Sequence, residues 1–340
     1  MNNEDYLIYK PKPGDTLTLL AKRVGIHPFH LEQFHNEHCK TENMIYSERL
    51  LYYETILIPL NFKTKNEIAE DERSERPSAV FSSNFYDHTY SIIETYKSNV
   101  VDEFHIESKL NLSFRKDNDK EIVNITRTNF TKNNEAIEAK ASLLSLEAMK
   151  AISPLSFFIS SNGELTTFYD YNYFLEIFLH SRKKIEEYYM GEITKNYLDK
   201  FEESIKNETV FFNKITQTLL YKLLFPKLDW FYKKSNWKEK FIIYPNSFPK
   251  VCEFSADYNH KDENYVTTIL RGKTDDLYSF NAIISGIETD EKPDDNFFGE
   301  IVLKYETHKE TKKLKNASAE IVLCQNEEKK FRHKIELQPN

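Results

Sequence analysis

His27, His30, His35, His38 and Cys39 fall within 13 positions, and imidazole and thiolate are the ligand types zinc prefers. Two His-x-x-His spacings would set pairs on one helix face. A structural zinc site uses two well-separated ligand pairs, one on a turn and one on a helix. This cluster lacks that layout and reads as imidazoles displayed by a helix and the loop behind it, so no metal ligands and no cofactor are expected. A second block interleaves Trp230, Phe231, Tyr232, Trp237 and Phe241 with Lys227, Lys233, Lys234, Lys238 and Lys240. Such a pattern can stack bases, yet the tryptophans stand at a helix end and a strand start, where they seal layers. No nucleic-acid partner is expected.

Hydrolytic and redox patterns are missing from the sequence: it holds no Gly-x-Ser-x-Gly, His-Glu-x-x-His or Cys-x-x-Cys. Asp257 with Asp262 and Asp294 with Asp295 are carboxylate pairs in loop-like sequence, where solvated charge is the ordinary reading. No catalytic residue is assigned, and the chain reads as a non-enzyme.

Composition narrows the classes further. With 46 Lys and Arg against 54 Asp and Glu, the formal charge is −8. Seven glycines in 340 residues leave no Gly-rich phosphate loop of the Rossmann or P-loop kind. No apolar run approaches the roughly 18 residues a membrane helix needs, so no transmembrane segment is expected. Residues 1–5 are polar and acidic without a basic, then apolar, leader pattern. Together with three scattered cysteines, which suit a reducing compartment, this predicts a cytoplasmic protein, with the cell envelope reachable only by an unconventional route.

Three segments must position whatever site exists. Residues 1–60 open with an apolar strand at Tyr6–Tyr9 and turn at Pro13-Gly14. A short helix carrying Leu17, Leu20, Ala21 and Val24 on one face then ends at Gly25. A second helix is expected over 28–36, and Ile56-Leu57-Ile58-Pro59 reads as a returning strand. Residues 61–80 are polar and acidic and read as a linker. Residues 81–340 read as strands over 85–170, helices over 171–235 and strands over 240–338. Turns are expected at 116–120 and at Asn162-Gly163. The third helical segment is expected over 211–224, and Tyr278, Phe280, Ala282 and Ile284 read as a strand. The whole is an α+β chain, with antiparallel sheet flanking a central helical block.

Tyr9, Pro13-Gly14-Asp15-Thr16-Leu17, Leu20-Ala21, Val24-Gly25-Ile26, Leu31, Phe34, Asn36 and Ile56-Leu57-Ile58-Pro59 together resemble the LysM family. The resemblance covers about one sixth of the chain. It implies a βααβ fold and binding of N-acetylglucosamine polymers, peptidoglycan or chitin, in a shallow groove. That groove would lie between Gly14, Asp15, Thr16 and Leu17 on one side and Glu54, Thr55 and Ile56 on the other. Two departures stand out: the stretch from Cys39 to Tyr53 is longer than the family's usual connection, and Glu54 stands about where members commonly carry glycine. The expectation is therefore a structural or adaptor protein whose LysM module docks onto protein partners, as in phage-tail-like contractile injection machines. The alternative is a glycan-binding cell-wall protein.

Overall fold

A computed structural model of the chain describes residues 6–60, 65–286, 296–326 and 328–340. The fold is α+β and divides into two compact units, Met1–Ser74 and Glu75–Asn340.

The first unit runs β1 (Tyr6–Tyr9), α1 (Leu17–Val24), α2 (Pro28–His38), β2 (Ile56–Pro59) and α3 (Lys65–Glu75), the last of which crosses its boundary. Thr16 caps α1, its hydroxyl accepting the Leu19 N–H at 3.2 Å. Gly25 ends the helix at φ 73°, left-handed backbone that glycine adopts without a Cβ penalty. Strands β1 and β2 pair antiparallel, Leu7 opposite Ile58 and Ile8 opposite Leu57. Two strands of four residues are marginal alone; Leu17, Leu20, Leu31, Ile45, Leu50 and Ile56 supply the core that holds them.

Of the segment expected as a linker, 61–80, residues 61–64 lie outside the described residues. Its residues from Lys65 are helical. From Glu75 onward it is tied into the second unit: the Glu75 carboxylate lies 2.7 Å from His260 Nδ1 and 3.2 Å from Lys309 Nζ. Arg76 also stacks 3.7 Å above the Tyr258 ring.

The second unit continues β3 (Thr89–Ser98), β4 (Phe104–Asp117), β5 (Lys120–Lys132), β6 (Glu135–Ala136), α4 (Lys140–Ala151), β7 (Leu155–Ile159) and β8 (Leu165–Phe168). Four helices follow, α5 (Tyr171–Tyr188), α6 (Glu192–Lys206), α7 (Glu208–Thr216) and α8 (Leu219–Leu224). The remaining elements are β9 (Ser235–Phe241), β10 (Lys250–Asn259), β11 (Tyr265–Thr274), α9 (Phe280–Ser285), β12 (Phe297–His308), β13 (Leu314–Gln325) and β14 (Glu328–Pro339). Among the described residues the strands of this unit join one 12-stranded sheet, in the order β8-β7-β5-β4-β3-β14-β13-β12-β11-β10-β9, with β6 on β5. Each neighbour pair is antiparallel. The sheet is thus two meanders that meet where β3 pairs with β14, and α5–α8 connect its two outer edges.

Alternate residues of the long strands face one shared core. Tyr90 and Ile92, Leu110 and Leu112, Ile335 and Leu337 are all buried there. Helical side chains such as Phe178, Leu198, Phe211, Leu220 and Leu223 cover that face. Arg182 on α5 bonds Glu186 at 2.8 Å and reaches Asp199 and Glu202 on α6, fastening the two helices.

Three expectations about the second unit need correction. Helix α4 lies inside the span read as strands; Lys140–Ala151 is rich in Ala, Leu, Glu, Met and Lys, strong helix formers, and buries Leu144, Ala148 and Ala151 on one face. Tyr278–Ile284 is not a strand. Ser279 caps α9 by accepting the Ala282 N–H, and Gly286 closes it at φ 73°, so cap and stop residues outweigh the alternation of apolar types. The segment expected over 211–224 is broken between α7 and α8, where Thr216 and Thr218 hydroxyls donate to the carbonyls of Phe212 and Ile215 and compete with helix continuation. Among the described residues no helix is long and apolar enough to cross a membrane.

Candidate functional site

The residues expected to line a glycan groove do different jobs. Leu17 and Ile56 are core, 5% and 0% exposed. Asp15 is equally buried, accepting from the Tyr9 hydroxyl at 2.5 Å and the Lys12 N–H at 2.7 Å, with Arg23 at 3.0 Å. Those hydrogen bonds, the Tyr9 hydroxyl's first, hold its carboxyl below the usual range. Thr16 is the cap of α1. Thr55 offers its carbonyl to Asn43 Nδ2 at 2.9 Å. Gly14, at φ 93°, and Glu54 are solvent-exposed.

The first of the two sides is paired with the chain's own Glu48–Leu50 segment. Leu17 N–H donates to the Glu48 carbonyl at 2.9 Å, Leu50 N–H to the Asp15 carbonyl at 3.3 Å, and Thr18 N–H to the Glu48 carboxylate at 2.9 Å. Thr16 and Arg49 form an isolated antiparallel bridge. The extra length noted between Cys39 and Tyr53 is thus partly spent on an internal strap.

The imidazoles of the first unit take separate structural roles. His35 is fully buried, Nδ1 accepting the Leu57 N–H at 3.0 Å and Nε2 donating to the Asn43 carbonyl at 2.8 Å. This is the neutral Nε2–H tautomer, and burial lowers its pKa. His27 accepts the Phe29 N–H at the start of α2, and His38 bonds the Phe34 carbonyl at 2.7 Å while stacking on that ring. No group of three or more His, Cys, Asp or Glu side chains among the described residues is arranged to hold a metal.

The aromatic and lysine block also resolves into structural roles. Trp230 is 2% exposed and donates Nε1–H to Glu239 at 3.0 Å; Lys227 meets the same carboxylate at 2.9 Å. Lys233 pairs with Asp229 and Lys238 with Asp275. Asp257 faces Arg271 at 3.5 Å, and Asp262 accepts the turn N–H groups of Asn264 and Tyr265. Asp294 and Asp295 lie outside the described residues.

Chemistry that the sequence did not single out sits within the second unit. Glu94 on β3, Arg127 on β5 and His333 on β14 occupy inward positions of the sheet, in line with Tyr90 and Ile92, with Val123 and Ile125, and with Ile335 and Leu337. Arg127 meets Glu94 at 2.6 Å and donates to Ser108 Oγ at 2.8 Å. Tyr96 donates to Glu94 Oε2 at 3.0 Å and stacks on His333, whose Nε2 lies 3.5 Å from that same oxygen. Burial alone would raise the Glu94 pKa; the Arg127 guanidinium and His333 outweigh it and hold the group at about 2. The Tyr96 hydroxyl is pushed up by burial and by Glu94.

This polar cluster borders a cavity of about 830 Å³ between the sheet and the helical layer. Ile125, Ile321 and Phe331 line it from the strands, and Phe211, Ile215 and Leu220 from α7 and α8. A signal existed in the sequence: a charge on the inward parity of an otherwise apolar strand is costly unless paired. Finding its partner required the registers of three strands. Compared with known proteins, the chain matches no family model and no curated sequence.

Proposed function

We propose that the chain is a non-enzymatic docking protein of the cytoplasm whose first unit, a LysM-like βααβ module, seats on a protein partner within a larger assembly such as a phage-tail-like contractile injection machine. One observation carries this preference over glycan binding. The Leu17 and Thr18 N–H groups and the Asp15 carbonyl, on the side of the family's groove that a ligand would meet, are already bonded to Glu48 and Leu50. The unit also turns large apolar side chains outward: Leu7 and Ile8 on β1, Phe29 on α2, and Leu51 beside the strap. A protein partner covers such surface readily.

The glycan reading keeps one observation of its own, the exposed rings of Tyr46 and Tyr52, since flat aromatic faces stack on sugars. The test is co-sedimentation of the full chain with insoluble peptidoglycan and with chitin, beside photo-crosslinking from position 7 and, as control, from exposed Val100 of the second unit. Docking expects the chain in the supernatant and a discrete protein adduct from position 7 alone. Sedimentation that Glu54→Arg abolishes would transfer the assignment to the glycan.

A further inference from the structure

The cavity of the second unit is too large for a packing flaw. Protein interiors leave few voids bigger than one water molecule, whereas about 830 Å³ falls within the roughly 300–1,000 Å³ of small-molecule sites. Its walls are predominantly aliphatic and aromatic. The charges it touches are compensated internally, because Glu94 and Arg127 neutralise one another at 2.6 Å, so the interior asks for an uncharged ligand body.

Three residues of the lining each carry a buried polar atom without a hydrogen-bond partner among the described residues. They are Ser247 Oγ, on a residue 8% exposed, Gln217 Oε1 and His333 Nε2. Toward solvent the lining changes character: Met149, Val210 and Phe248 are exposed apolar side chains, and Lys150 and Lys214 stand among them. Lys150 is paired with Glu147 at 2.7 Å, while Lys214 has no ion-pair partner among the described residues.

We infer that this cavity binds a single-chain anionic lipid of the fatty-acid class, its alkyl chain between the sheet and α7–α8 and its carboxylate at the Lys214 side of the mouth. The apolar walls with a compensated interior select the chain, and the rim cation selects the sign of the head. The inference is independent of what the first unit binds.

The test is a titration of the full chain with sodium palmitate below its aggregation concentration, followed by calorimetry, with decanoate and hexadecanol as comparison ligands. Saturable 1:1 binding of palmitate is expected. Affinity should rise about threefold to fourfold for each added methylene until the chain fills the cavity. Ile215→Trp, which fills the space, should weaken palmitate about tenfold or more. Lys214→Glu, at an exposed position that leaves folding undisturbed, should weaken palmitate several-fold and leave hexadecanol unchanged. Absence of saturable palmitate binding by the folded chain would overturn the inference. Binding indifferent to both substitutions would do the same, since the lipid would then lie elsewhere. Hexadecanol bound as tightly as palmitate would overturn the anionic head.

Discussion

Replacing Arg127 with methionine keeps a long side-chain stem beneath Glu94 and removes the charge that compensates it. The Glu94 carboxyl stands at about 2 against an ordinary 4.5, a difference worth about 3 kcal/mol at 1.36 kcal/mol per unit. Breaking a buried pair from one side costs about 3–5 kcal/mol by an independent route, so the two agree. For a unit of this size the loss corresponds to a fall of about 6–12 °C in Tm. Both tryptophans, Trp230 and Trp237, belong to the second unit, so urea or thermal unfolding followed by tryptophan fluorescence reports on it alone.

The pH dependence sharpens the test. In the native protein the folded pKa lies below the unfolded value of about 4.3. Glu94 therefore stabilises fully above that value, and its contribution is lost as pH falls toward 2. In Arg127→Met burial acts without the guanidinium, the folded pKa rises above the unfolded one, and the buried carboxylate destabilises at neutral pH. The stability gap between the two proteins is thus widest near pH 7 and narrows on acidification to pH 4. A gap below about 1 kcal/mol at pH 7, or one that does not change with pH, would refute this account of the cluster.

Other consequences can be checked beside it. Burial lowers the His35 pKa, so the unfolded chain binds that proton more readily; the first unit should lose stability as pH drops through about 6.5, read by amide exchange of α2 in the full chain, and His35→Phe should remove that slope. Gly272 lies opposite Phe254, whose ring would meet an added Cβ at 2.4–2.8 Å; Gly272→Ala should cost about 1–3 kcal/mol in urea unfolding, and Phe254→Leu should relieve it. Glu239 is 8% exposed and holds both Trp230 and Lys227; Glu239→Leu should cost about 1–3 kcal/mol and shift the tryptophan emission of the folded state.

The parts of the fold legible in the sequence are those set by local chemistry. The Pro13–Thr16 turn and Gly25 bracket α1. Asn118 and Asp119, at φ 45° and 65°, make the β4–β5 hairpin turn inside the expected 116–120 span. Alternation marks the long strands. Legibility failed where two local signals competed, as at Ser279–Gly286, and where the decisive information was long-range. Nothing near Glu94 in sequence announces Arg127 or His333; only the pairing of β3 with β14, and of β4 with both β3 and β5, brings them into reach. The Glu48–Leu50 strap was hidden for the same reason, since its bonds are to Asp15–Thr18, some thirty positions earlier.

The seam between β3 and β14 also imposes a timetable. Ser91 and Asn340, which hydrogen bond to each other across it, are 249 positions apart. A ribosome adding about 5–20 residues per second leaves the β3 edge without its partner for roughly 10–50 s. Throughout that interval the first meander presents an open strand beside the inward Glu94, whose His333 neighbour has yet to be made. Strand edges of this kind recruit other chains. The nascent protein is therefore most vulnerable to aggregation late in synthesis, and shielding of the β3 edge until β14 arrives governs its yield.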